Sequence, residues 1–184
     1  MNIENSIMAT KQGFEDSFSL GDYYNKQTQD GHHLKNILDF LPFKADMKIL
    51  DLGTGSGYLS FSIARKYPNI SIIGLDIVEK ALEVNRFKAK DENVQNISFI
   101  TYDGVNFPFD DNEFDMVISR YALHHFPDIQ KSISEISRVI MFDQYFEKFF
   151  GIDTRVVEQI FFAYVGESVE SRKNERPAER YEFL

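Results

Sequence analysis

Acidic residues recur in one setting along this chain. Asp51, Asp76 and Asp103 each close a short apolar run, and a fourth such run ends at Ser119 and Arg120. The first acid stands ahead of three alternating glycines, Gly53, Gly55 and Gly57, in "KILDLGTGSG". A glycine-rich turn after a strand usually brings backbone N–H groups up to a phosphate. A carboxylate beside a pyrophosphate adds like-charge repulsion, whereas a cationic ligand gains from the same charge. The dinucleotide pattern G-x-G-x-x-G also needs glycine at position 58, which is Tyr58 here. Asp76 follows the turn by about twenty residues, where an acid commonly accepts hydrogen bonds from ribose hydroxyls. The chemistry suggested is binding of a nucleoside that has no phosphate and carries positive charge. S-adenosylmethionine, with an ammonium and a sulfonium, meets that description.

The elements that must position these residues are readable from hydrophobic periodicity. "MKILDL", "ISIIGLD", "ISFITYD" and "FDMVISR" read as strands. "YLSFSIARKY" and "VEKALEVNRFKAKDE" read as the helices between them, and Asp76 could also cap the second at Val78. Ahead of the first strand, Asp30 could cap a helix with Leu34, Ile37, Leu38 and Leu41 at helical spacing before Pro42 stops it. Pro127 and Asp128 open a further helix with Ile129, Ile133, Ile136 and Ile140 along one face. Strands alternating with helices predict an α/β fold: a Rossmann-like, doubly wound parallel sheet of at least four strands with helices on both faces. Ligands in such sheets bind beyond the carboxyl ends of the strands, where the acids fall.

Composition narrows the function classes. The 184 residues suit about one domain, and 43% hydrophobic with 27% charged residues is ordinary for a globular chain. A net charge of -9 argues against nucleic acid as the main partner, because phosphate binding needs a basic face. The absence of cysteine excludes disulfides, thiolate metal sites and cysteine nucleophiles. "MNIENSIMATKQGFEDSF" has an early acid and no apolar core of signal-peptide length, and no run approaches the roughly 18 apolar residues of a membrane span. A cytoplasmic protein is expected.

Together, "LDLGTGSG", "GLD", "TYDG" and "NFPFDDNEFDMVISRYALHHFPD" resemble the class I S-adenosylmethionine-dependent methyltransferases. The nearest likeness is to the small-molecule group that includes the ubiquinone and menaquinone C-methyltransferases, over roughly residues 30 to 140. The resemblance implies S-adenosyl-L-methionine as cofactor and a small-molecule methyl acceptor as substrate. It implies a cofactor-binding set of Asp51, Gly53, Thr54, Gly55, Gly57, Asp76, Ile77, Asp103, Gly104 and Arg120. The glycines would admit the methionine part, Asp51 would lie near its amino group, and Asp76 would bind the ribose diol. Ile77 would pack on the adenine, Asp103 and the Gly104 amide would meet its edge, and Arg120 would face the methyl group and substrate. Methyl transfer from a sulfonium needs a base only for a protonated nucleophile. Tyr121, His124 and His125, just past the fourth strand, are the candidates for base or orienting group.

No metal site is expected. Neighbouring residues such as His32-His33 and His124-His125 point in different directions, and no acid cluster accompanies them. "DDNE" at 110–113 reads as a solvated turn.

Residues 1–30 are polar and weakly patterned, and Tyr23 and Tyr24 could line a lid. Residues 31–140 form the expected cofactor-binding core, 141–166 an atypical aromatic-rich helical segment, and 167–184 a charged tail. The family continues with a Pro-Gly-Gly-type turn and further strands, whereas here "MFDQYFEKFFGIDTRVVEQIFFAYVG" follows Ile140. The family's C-terminal strands are therefore expected to be missing or replaced. In one reading the last helix runs on to about Phe150 and a second helix covers 154–165; in the other, "QIFFAYVG" is a substitute fifth strand. An uncovered fourth strand is an aggregation hazard. The expectation is a helical cover or a homodimer, through that edge or through the aromatic helices. The alternative to an active enzyme is a methyltransferase-like module that binds the cofactor or its demethylated product without turnover.

Overall fold

The computed structural model of the chain describes residues 3–19, 31–120, 122 and 125–141. The elements run α1 (Ile3–Ser19), α2 (Gly31–Phe40), β1 (Lys48–Leu52), α3 (Tyr58–Lys66), β2 (Ser71–Asp76), α4 (Glu79–Asp91), β3 (Ile97–Thr101), β4 (Met116–Ile118) and α5 (Ile129–Val139). The strands form one parallel sheet in the order β3-β2-β1-β4. From β1 the chain winds outward through β2 to β3 and then crosses back to place β4 on the other side of β1. That reversal opens a crevice at the carboxyl end of β1.

The strands are apolar on both faces because helices cover both. Ile49, Ile72, Met116 and Ile118 meet Leu38 of α2 and Leu59 and Ile63 of α3. On the opposite face Leu50, Leu52, Leu75 and Val117 meet Ile136 and Val139 of α5. Alternation along β1 therefore puts Asp51 on the α3 side, opposite Gly74 of β2 in the register. This is the α/β architecture expected from the sequence.

Two departures concern the ends. The weakly patterned N-terminus contains the 17-residue helix α1. The helix opened by Asp128, whose side chain accepts the Lys131 N–H, ends at Val139 and does not run on to Phe150. Ile140 is extended (φ -73°, ψ 129°) and bridges in parallel to Phe114, with Met141 N–H donating to Phe114 O at 2.6 Å. The helix stops there because Ile140 finds a strand partner at the foot of β4. Tyr23, Tyr24, Asp30 and the segment beyond Met141, with its helix-or-strand alternatives, lie outside the described residues.

The loop after β3 is clamped to α5. Arg138 donates to the carbonyls of Phe107 (3.0 Å) and Phe109 (2.7 Å), and to Asp111 (2.9 Å) and Glu135 (2.9 Å). Glu135 in turn accepts the Phe107 N–H at 2.9 Å. The Arg138 guanidinium holds the Glu135 carboxyl down at about 2, against an ordinary value of 4.5. A depressed carboxylate stabilises the fold above its ordinary value, and that stabilisation is lost as pH falls through about 2. Glu135→Gln is expected to cost about 1–3 kcal/mol at neutral pH and to flatten the acid limb of the stability profile, measured by urea unfolding across pH.

Candidate functional site

A cavity of about 380 Å³ opens in the crevice at the carboxyl ends of the strands. Its wall takes Asp51 from β1, Gly53, Thr54 and Gly55 from the turn that follows, and Asp76 and Ile77 from the end of β2. Tyr102 and Gly104 follow β3, while Arg120 and His125 follow β4. Across the opening, α1 contributes Ile7, Thr10 and Phe14, spaced to share one helical face.

The turn after β1 is built from left-handed backbone, with φ of 72°, 52° and 70° at Gly53, Gly55 and Gly57. Most of its N–H groups are committed within the protein. Gly53 and Thr54 donate to Leu75 O (2.8 and 3.1 Å), Gly55 to Asp76 (2.8 Å) and Gly57 to Thr54 O (2.9 Å). Anions bind such turns through free N–H groups, so this turn is poorly equipped to cradle a phosphate. Gly57 does not line the cavity; it is the N-cap of α3. At Gly53 a Cβ would lie 2.3 Å from the Ala122 Cβ, so only glycine lets the turn pass under the segment after β4.

Asp51 is buried, and its Oδ2 accepts from the hydroxyls of Ser60 (2.5 Å) and Thr54 (2.9 Å). Burial pushes its carboxyl above the ordinary range, the Ser60 and Thr54 hydroxyls work against that rise, and the nearby Asp76 adds to it. Asp76 is also buried, and burial pushes its carboxyl up too, against the N–H groups of Gly55 and Val78. Its Oδ2 accepts Gly55 N–H and its Oδ1 accepts Val78 N–H at 3.0 Å, which joins the glycine turn to the start of α4. Each carboxylate oxygen can accept about two hydrogen bonds, so Asp76 retains acceptor capacity toward the cavity. Asp76→Ala would leave two buried N–H groups unpaired, at about 1–3 kcal/mol each. A drop of several degrees in melting temperature is expected, with loss of the turn's ligand binding.

The other sequence candidates divide. Ile77 and Gly104 line the cavity, whereas Asp103 does not. The Asp103 carboxylate accepts Val105 N–H (2.8 Å), Asn106 N–H (2.7 Å) and the Asn106 amide (2.8 Å), closing its own turn. Arg120 is half-buried in the wall, its guanidinium carbon 5.3 Å from the Tyr58 ring centroid. His125, at the exposed rim, meets Phe14 edge to face with centroids 4.9 Å apart. Tyr121 and His124 lie outside the described residues. Among the described residues, no group of three or more His, Cys, Asp or Glu side chains is placed to hold a metal ion.

Sequence reading missed the α1 residues, Tyr102, Ser60 and Gly74. Gly74 had a legible signal, since glycine inside a strand often marks close approach. A Cβ there would come within 2.6 Å of the Phe99 ring and 2.9 Å of Thr54 Cγ2. The missing side chain thus seats Thr54 beside Asp51.

The donor set suits S-adenosylmethionine. It offers a buried carboxylate for a cation, a guanidinium in the same wall and a glycine turn that admits close approach. Ser119 Oγ, buried at the end of β4, has no hydrogen-bond partner among the described residues.

A methyltransferase-domain family model matches residues 43–147. The uncharacterized methyltransferase YcgJ of Bacillus subtilis is 30% identical over 115 residues, covering 62% of this chain and 44% of that protein. Its crystal structure superposes with a TM-score of 0.57, covering 62% of this chain and 48% of that one. A demethylmenaquinone methyltransferase of Staphylococcus saprophyticus is 33% identical over 107 residues, covering 58% of this chain and 45% of the relative. The [4+2]-cyclase SpnF, 22% identical over 58% of this chain and 40% of its own, shares the fold alone with a TM-score of 0.55. With the parallel sheet, the glycine turn and the strand-end acids in place, this chain belongs to the class I S-adenosylmethionine-dependent methyltransferases, in the methyltransferase-domain family. The cofactor of that family is S-adenosyl-L-methionine. The chain spans 44% and 45% of the length of these two curated relatives.

Proposed function

We propose that this chain transfers a methyl group from S-adenosyl-L-methionine to a small-molecule acceptor by in-line displacement. The observation that carries the reading is the presence of a buried acid, Asp51, and a cation, Arg120, in the wall of one cavity, beside a glycine turn whose N–H groups are mostly committed elsewhere. That arrangement suits the ammonium and carboxylate of an amino acid better than a phosphate. When bound, the cofactor supplies a methyl on a sulfonium, a carbon already activated for displacement. Asp51 holds the ammonium, while the free acceptor positions of Asp76 take the ribose hydroxyls. Arg120, which the resemblance directs to the methyl group and substrate, is assigned here to the carboxylate because it shares the cavity wall with Asp51. Ile77 packs on the adenine, with Gly104 beside it. Asp103 acts there through the turn it closes. The apolar face of α1 excludes water, so that the protein works mainly by holding the acceptor on the methyl axis. His125 at the rim is the group within the described residues to take a proton from the acceptor; Tyr121 and His124 share that role as sequence candidates.

The cysteine-free composition fits a cytoplasmic setting, and no described helix is long and apolar enough to cross a membrane. Among the described residues β4 is an edge strand, touched on its outer side by the Phe114–Ile140 bridge, and a homodimer over that edge would protect it. A concentration-independent monomer mass would exclude the dimer.

A second reading is a binding module without turnover. It is favoured by the described wall itself, whose buried or half-buried charged groups Asp51, Asp76 and Arg120 are all assigned to the cofactor. Incubation with methyl-labelled cofactor and a panel of phenolic, quinol, amine and carboxylate acceptors separates the two. Label in an acceptor, with stoichiometric S-adenosylhomocysteine, establishes the enzyme. Cofactor binding with no transfer to any acceptor establishes the module.

A further inference from the structure

Ser60 is the third residue of α3 and is fully buried, yet it does not line the cavity. Its hydroxyl donates to Asp51 Oδ2 at 2.5 Å and lies 3.1 Å from the Thr54 hydroxyl, which donates to the same oxygen at 2.9 Å. The three side chains form a closed buried triangle behind the wall, with only Asp51 and Thr54 facing the ligand space. The triangle also stands at the first turn of α3, where free N–H groups and the helix dipole favour a negative charge. The Ser60 N–H adds to the hydrogen bonds that favour the ionised carboxylate.

We propose that Ser60 is a positioning residue for the cofactor's amino-acid end, keeping Asp51 a charged and fixed carboxylate so that binding of the ammonium has a pH threshold set by Ser60. The inference rests on the cofactor reading above. Asp51 would otherwise take up a proton, because burial and its neighbours act against its charge. Asp76 at the end of β2 faces it as a like charge, and Arg120 after β4 is the cation in the same wall. Tyr58 of α3, Tyr102 after β3 and His125 at the rim are the other titratable groups around the cavity among the described residues. The facing residues of α1, namely Ile7, Thr10 and Phe14, are uncharged, as is Asn85 of α4, which donates to Gly55 O at 2.8 Å. With Ser60 removed, one hydrogen bond to the charged form goes while every opposing influence remains. Asp51 then gives up its proton only at higher pH.

The test has two readouts. In the free chain, carbon NMR of the Asp51 carboxyl should titrate about one pH unit higher in Ser60→Ala than in the unaltered chain. In calorimetry across a pH series, affinity for S-adenosylhomocysteine, which has the ammonium but no sulfonium, should fall on the acid side of a midpoint that moves upward equally. Well above the midpoint the two proteins should bind within a few-fold of each other. Thr54→Val, at the other hydroxyl of the triangle, should shift the midpoint in the same direction and serves if Ser60→Ala folds poorly. Ser62→Ala, whose hydroxyl donates to the Tyr58 carbonyl instead, should leave the midpoint in place. A loss of affinity equal at every pH, or an unmoved Asp51 titration in both triangle variants, would overturn the proposal and leave Ser60 a packing residue. Failure of the unaltered chain to bind S-adenosylhomocysteine at any pH would overturn the cofactor reading itself, and this inference with it.

Discussion

Gly53→Ala should abolish cofactor binding and destabilise the chain by about 2–4 kcal/mol, because a strained backbone and an overpacked contact add at one position. The backbone there is left-handed, at φ 72°. The added methyl would also stand 2.3 Å from the Ala122 Cβ, inside any tolerated carbon contact. Ala122 lies in the segment after β4, so relief requires moving the turn after β1 away from the segment that carries Arg120. Those segments hold the two charges assigned to the ends of the amino acid, and their separation cannot change without weakening both contacts. Affinity for S-adenosylhomocysteine should fall at least a hundredfold, read by calorimetry, with a matching drop in urea midpoint. Gly13→Ala is the control. Gly13 sits inside α1 with nothing within 4 Å of a Cβ, so alanine there should be neutral or stabilising by about 0.5–1 kcal/mol through helix propensity.

Asp51→Asn should move stability and binding in opposite directions. The Asp51 and Asp76 carboxyls are both pushed up by burial, from an ordinary value of 3.8. A carboxylate with a raised folded value favours folding below the ordinary value, and that contribution is lost as pH rises through the folded value. Above those folded values, therefore, both groups are held charged at the expense of stability. An asparagine at 51 keeps an oxygen for the Ser60 and Thr54 hydroxyls and removes the buried charge. The free variant should unfold at a higher urea concentration, by about 1–2 kcal/mol, and its stability should depend less on pH around and above 3.8. Binding should weaken by two to three orders of magnitude, about 3–4 kcal/mol, because a charge-assisted hydrogen bond to an ammonium is replaced by a neutral one. A variant that is both less stable and equally able to bind would refute this assignment of Asp51.

Much of the core was legible because both faces of a parallel sheet must be apolar. "KILDL" and "SIIGLD" could hardly be anything but buried strands, and the acids at or next to their ends are conspicuous against those runs. The sheet order then brings residues 51, 76 and 120 around one crevice, as the α/β rule anticipates. Helix α1 was not legible, because Ile7, Thr10 and Phe14 make a sparse stripe that acquires meaning only when its partner is known. That partner is the cavity mouth and the face of Gly104, against which Ile7 rests. The end of α5 was hidden for a similar reason. Ile140 continues the helical spacing of Ile133 and Ile136, and its pairing with Phe114, 26 residues earlier, ends the helix instead. Ser60 carried no signal at all; a serine in the first turn of a helix is ordinary, and its contact with Asp51 arises from the turn that folds back between them.

The central claim is that the cavity holds a cationic amino-acid cofactor and not a dinucleotide. Calorimetric titration of the chain with S-adenosylmethionine, S-adenosylhomocysteine and NAD tests it most directly. One-to-one binding of the first two, with no heat from NAD, is the predicted result. Binding of NAD, with neither adenosyl compound bound, would contradict the claim.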